Sequence, residues 1–218
     1  MKIRLRTLAV VLAASILLLT GCAGRETPPD FDRAYVLGIL DTLYLGEYSE
    51  ELMALAGMED PARLEAEYEA GLDAEVDYFA YCFDAGPLTD ASRARLKELY
   101  RDLYRLASYE VLPSEAEDDI HTVDVVIRPL DVIDRVIRED LDAFAARQKA
   151  APAEGLSREE ITESYVEGLT GLIRDRMEEP GYGKAETLTL EVGKDPRDGL
   201  CHIKGNGLNE VDERILLY

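Results

Sequence analysis

The chain has 218 residues, with 45 acidic residues against 24 Lys and Arg, for a formal net charge of −21 at pH 7. A surface this acidic repels phosphate backbones, which excludes nucleic acid as a partner, and it offers anionic lipid no polybasic attraction. Its apolar fraction of 47% exceeds that of a disordered chain, and its length suffices for one domain with a full core.

Residues 1–6, MKIRLR, carry three positive charges and no acid, and residues 7–19, TLAVVLAASILLL, are almost wholly apolar. A basic start and an apolar run of this length form a secretory signal; a bilayer span needs about 20 apolar residues. The run ends in Leu19-Thr20-Gly21-Cys22. These four residues resemble the lipobox of bacterial lipoproteins. The resemblance implies cleavage between Gly21 and Cys22, and a diacylglyceryl group, carrying acyl chains such as palmitate, on the Cys22 thiol. It places the protein on the extracytoplasmic side of the cell membrane, held by lipid. Residues 22–29 then form a lipidated start and a short tether stiffened by Pro28-Pro29.

Residues 30–218 read as a single α+β domain, with a subdivision near residues 148–156, QKAAPAEGL, left open. Asp30 is placed to cap a helix bearing Phe31, Tyr35, Ile39 and Leu43, and Ser49 to cap a short one with Leu52 and Leu55. Asp60-Pro61 starts a long helix with Leu64, Tyr68, Leu72, Val76, Phe79 and Phe83 on one stripe, stopped by Gly86-Pro87. Thr89 or Asp90 caps the next, with Leu96, Leu99, Tyr100, Leu103 and Leu106 inward.

The period then changes to two, predicting a β-hairpin over residues 107–128 that Pro129 closes. Asp131 is expected to cap a helix through Ile133, Val136, Ile137, Leu141 and Phe144. Ser157 and Glu160 make a capping box for a helix with Ile161, Tyr165, Leu169, Leu172 and Ile173. Leu188, Leu190 and Val192 alternate, Leu200–Ile203 can pair back on them, and a last helix carries Leu208, Val211 and Ile215. The fold class is therefore α+β: clustered helices on an antiparallel sheet of about four strands, built from two hairpins. The segments "YVLGILDTLYLGEY", "EAEYEAGLDAEVDYFAYCF", "VDVVIRPLDV" and "GYGKAETLTLEV" resemble an uncharacterised family of lipoproteins from Gram-positive bacteria. That resemblance implies a cell-surface location and brings no known activity.

Few residues offer chemistry. Apart from Cys22, the thiols are Cys82 and Cys201; they stand either as a disulfide outside the membrane or as two small hydrophobes, and the aromatic neighbours of Cys82 favour its burial. Cys201 and His202 are adjacent on a strand and point to opposite faces, and nothing is expected to orient His121 as a base. The spacings C-x-x-C and H-x-x-x-H are absent, no metal site or cofactor is expected, and "PGYGKAE" lacks the glycine and hydroxyl of a phosphate loop. The acids Glu115, Glu117, Asp118 and Asp119, like Asp195 and Asp198, read as solvated turns without the calcium-loop spacing.

The 12 tyrosines, without any tryptophan, stand out. Tyr78 with Tyr81, and Tyr100 with Tyr104, are helical neighbours that form either packed helix faces or an aromatic binding surface. These features favour a membrane-anchored binding or scaffolding protein of the cell envelope, without enzymatic activity, whose partner is an envelope protein or a cationic peptide. An envelope enzyme with a carboxylate site, and a ligand-capturing accessory lipoprotein of a transporter, remain the alternatives.

Overall fold

Helix α1 (Phe31–Leu45) buries Tyr35, Val36, Ile39, Leu40 and Tyr44. This is the i, i+4 stripe of an amphipathic helix, and it turns far enough that Leu43 is left half-buried. The computed structural model that shows this describes residues 31–50, 52–53, 60–117, 120–150, 155–194 and 200–218. The expected cap Asp30, the inward Leu55, and the acids Asp118, Asp119, Asp195 and Asp198 lie outside the described residues. Ser49 accepts from the Leu52 amide at 3.0 Å, as a cap does. Bare Gly38 lets Leu52 approach: a Cβ there would stand 2.7 Å from a Leu52 methyl.

Helices α2 (Pro61–Cys82) and α3 (Asp90–Tyr104) pack on each other. Asp60 caps α2 by accepting from Ala62 N, with proline in the first turn where no N–H is missed. Thr89, not Asp90, caps α3, accepting from Ser92 N. Leu64, Leu72, Val76 and Phe79 are buried along α2; Leu96, Leu99, Tyr100 and Leu103 are buried along α3.

The expected hairpin forms with one arm broken. Strand β1 (Ser108–Val111) and strand β2 (Glu115–Glu117) both pair antiparallel with β3 (Ile120–Arg128). Pro113 separates them, since it has no N–H for the ladder. On its other side β3 pairs with β4 (Glu186–Lys194), Val123 opposite Leu190 and Val125 opposite Leu188, and β4 pairs with β5 (Cys201–Ile203). The two hairpins therefore share one antiparallel sheet, ordered β1-β3-β4-β5. Register puts Val123, Val125, Ile127, Leu190, Val192 and Ile203 on one face, all buried. Helix α1 and the last helix, α7 (Gly207–Ile215), contact the sheet. The opposite face shows Thr187 and Thr189 to solvent, with Thr189 donating to Asp124 at 2.6 Å.

Asp131 does not cap as expected. Its side chain makes no cap bond, and its Oδ1 is buried without a partner among the described residues. Its amide instead donates to Gly181 O at 3.1 Å, tying the start of α4 (Val132–Arg135) to the β4 approach. The helix then opens into a π-helical turn at Val136–Asp140 before α5 (Leu141–Ala150) resumes. The extra residue in that turn shifts the phase and presents Glu139 and Asp140 together to Arg176 of helix α6 (Arg158–Met177). The Ser157–Glu160 capping box of α6 is complete in both directions. A single cluster of buried residues runs from α1 through α2, α3, the sheet, α4–α6 and α7.

Candidate functional site

The sequence singled out Tyr78, Tyr81, Tyr100 and Tyr104. The structure gathers three of them around the half-buried Tyr218, with Tyr100 and Tyr104 in the interior. Tyr100 is fully buried and Tyr104 nearly so, while Tyr81 is 80% exposed. The Tyr100 and Tyr218 hydroxyls are hydrogen-bonded to each other. Tyr104 donates to Glu75 Oε1 at 2.9 Å, and Tyr218 reaches Glu75 Oε2 at 3.4 Å. Tyr78 meets the Tyr218 ring edge to face at 4.9 Å. The hydroxyls of Tyr100 and Tyr104 are thus taken up by Tyr218 and Glu75 inside the protein and do not line a groove. Burial first, then the Glu75 charge for Tyr104 and the neighbouring Tyr100 phenol group for Tyr218, push the Tyr104 and Tyr218 phenols well above their ordinary pKa. Both stay protonated donors at any physiological pH.

The outer side of the same helix pair is ionic. Glu69, Asp73 and Asp77 repeat every four residues on α2, and Arg93, Lys97 and Arg101 do the same on α3. Because the helices run antiparallel, the two rows interlock: Arg93 with Asp77 (2.7 Å) and Asp73 (3.2 Å), Lys97 with Asp73 (2.8 Å) and Glu69 (3.2 Å), and Arg101 with Glu69. The hydrogen bond from Lys97 holds the Asp73 carboxyl below its usual range. Desolvation opposes ionisation of Glu69, but its hydrogen bonds from Arg101 and Lys97 prevail and lower its pKa.

A third cluster lies where α1 meets the sheet. His121 Nδ1 stands 2.6 Å from Asp32 Oδ2, so a carboxylate 89 residues away orients a ring that its sequence neighbours leave unoriented. Tyr35 donates to the Cys201 backbone carbonyl at 2.8 Å, and Arg33 to that of Val111 at 2.8 Å. Together these contacts pin the first turns of α1 to both edges of the sheet.

Cys82 and Cys201 are not joined by a disulfide, and Cys82 is exposed, contrary to its expected burial. The apolar stripe of α2 passes through Val76, Phe79 and Phe83, leaving Tyr81 and Cys82 on the outer side. Gly21 and Cys22 lie outside the described residues. Among the described residues no group of three His, Cys, Asp or Glu side chains is close enough to hold a metal ion, and no helix is long and apolar enough to cross a membrane. Reading along the chain missed Glu75, Tyr218 and Asp32. The fourfold charge rows on α2 and α3 were the available signal for the ionic contact.

These elements define an α+β protein whose helices pack on an antiparallel sheet, with a tyrosine–carboxylate layer inside the α2–α3 pair. The crystal structure of ycdA from Bacillus subtilis, described as a candidate lipoprotein, has a similar fold, with a TM-score of 0.56 at 12% identity. The likeness covers 85% of this chain and 56% of ycdA, so the chain spans little more than half the length of that protein. No family model matches the chain, and no curated protein matches it.

Proposed function

We propose that the protein is a lipoprotein of the cell envelope, anchored on the extracytoplasmic face through acyl chains on Cys22, and that it acts by binding or scaffolding. One observation carries this reading: a basic start and a short apolar run lead directly into Leu19-Thr20-Gly21-Cys22. The fold shared with a candidate lipoprotein is consistent with it. Two acyl chains on one residue bind membrane durably, at about 0.8 kcal/mol per buried methylene, where one chain binds only marginally. Because α1 begins nine residues after Cys22, a tether extended at about 3.5 Å per residue keeps the domain within roughly 30 Å of the bilayer. The acidic surface suits a cationic partner such as a basic peptide or a basic patch on an envelope protein.

Cell fractionation tests the anchor. The native chain is expected with the membranes, and Cys22→Ser in the soluble fraction or as an unprocessed precursor; an unchanged membrane fraction contradicts the reading. Cross-linking on living cells tests the binding role. A partner trapped in stoichiometric amount by the native chain, and lost with Cys22→Ser, supports it. An empty result argues against a protein partner.

A further inference from the structure

Seven of the 12 tyrosines form one continuous line through the helical layer. It starts at Tyr109, whose hydroxyl donates to Asp41 at 2.6 Å. From there the ring centroids step 6.0 Å to Tyr44, 5.1 Å to Tyr104 and 6.3 Å to Tyr100. The Tyr100 hydroxyl bonds to that of Tyr218, whose ring lies 4.9 Å from Tyr78; Tyr78 stacks on Tyr81 at 6.5 Å. Tyr81 ends the line in solvent, 80% exposed.

A phenol that loses an electron becomes a strong acid, so its oxidation is easy only where a base stands ready to take the proton. Asp41 serves Tyr109, and Glu75 serves Tyr104 and Tyr218; Tyr44, Tyr100 and Tyr78 bridge these stations by ring and hydroxyl contact. With no tryptophan in the chain, no indole competes for the vacancy along the way. At Tyr81 the proton is lost to bulk water, which makes that residue the terminus.

We propose that this line is a relay for oxidising equivalents, which carries an electron vacancy from the Tyr109–Asp41 end to the surface at Tyr81. In the first step a one-electron oxidant, such as a peroxide-derived radical, takes an electron from Tyr109, and the phenol proton passes to Asp41. An electron then moves back along the line, the proton returns from Asp41 to Tyr109, and Tyr81 is left as the phenoxyl radical with its proton released to water. The net change is one electron gained by the oxidant, with one electron and one proton lost by Tyr81. The other tyrosines of the line end unchanged, and the radical is left on one exposed ring. The relay does not depend on the lipoprotein reading.

The test uses the full-length chain with Cys22, Cys82 and Cys201 replaced by serine. A ruthenium photo-oxidant is attached at Glu47→Cys, an exposed position whose native carboxylate lies close enough to Tyr109 to act on its titration. After a flash with an irreversible quencher, a nitroso spin trap and peptide mass spectrometry locate the radical. We expect adducts at Tyr81 in this parent, and their loss to background in Tyr218→Phe and in Tyr104→Phe, which keep the rings but remove the oxidisable phenols that Glu75 serves. An untethered oxidant should label Tyr81 equally in all three, showing that each variant is folded with Tyr81 accessible. Adducts that stay at Tyr109 in the parent, or that reach Tyr81 undiminished in either Phe variant, overturn the relay.

Discussion

The two sides of the α2–α3 pair hold the same helices together by opposite means. Outside, three acids face three bases across a solvated seam; inside, the buried Tyr100 and Tyr104 share hydrogen bonds with the half-buried Tyr218 and Glu75. Exposed ion pairs are worth about 0–1 kcal/mol each, because water and salt screen them and long side chains lose freedom to form them. A buried donor or acceptor that loses its partner costs about 1–3 kcal/mol, because nothing replaces the bond. The outer row therefore sets register between the helices, while the inner layer sets how much is lost when the packing is disturbed.

The comparison is most easily broken from within. Tyr100→Ala empties a fully buried site and takes one of the Tyr218 hydroxyl's partners; it should cost about 3–5 kcal/mol in urea unfolding. A loss near that of a surface substitution would mean the inner layer is not packed as described. Tyr104→Phe keeps the ring and removes only the donor to Glu75. It should cost about 1–3 kcal/mol by the same measurement.

The outer row should respond less, and in a way that depends on pH and salt. Lys97→Met is expected to cost under about 1 kcal/mol at neutral pH, and less in high salt. Asp73 and Glu69 have folded pKa values held below their unfolded ones. Their contribution is therefore complete above the unfolded-state pKa, near pH 4, and lost as pH falls through the lower folded values. Lys97→Met should flatten that acid limb, and an unchanged limb would remove the row from the account. The smallest effect is expected at Ser92, fully buried with no hydrogen-bond partner for its hydroxyl among the described residues. Ser92→Ala should leave stability unchanged or raise it by about 1 kcal/mol, read as a small upward shift in Tm.

What the sequence revealed in advance was local. Ser49, Asp60, Thr89 and the Ser157–Glu160 box cap within three residues of themselves, and the alternation of Val123, Val125 and Ile127 names a strand face directly. The π-helical turn escaped notice because one inserted residue leaves Ile133, Val136, Leu141 and Phe144 still looking like a single stripe. The inner layer escaped for a different reason. Tyr100 meets Tyr218 across 118 residues and His121 meets Asp32 across 89, and no periodicity encodes such pairings. A tyrosine repeated at i, i+4 reads alike whether its hydroxyl finds water or a carboxylate, so Tyr100 could be placed inward with the leucines of α3, but neither its hydroxyl partner nor the burial of Tyr104 could be read.

The proposed place of the protein in the cell rests on Cys22, and one measurement addresses it directly. Protein purified from membranes of the producing cells, digested and analysed by mass spectrometry, should yield a first peptide that begins at Cys22 and carries the mass of a diacylglyceryl group. A first peptide that begins elsewhere, or an unmodified Cys22 within a chain retaining residues 1–21, would contradict the account.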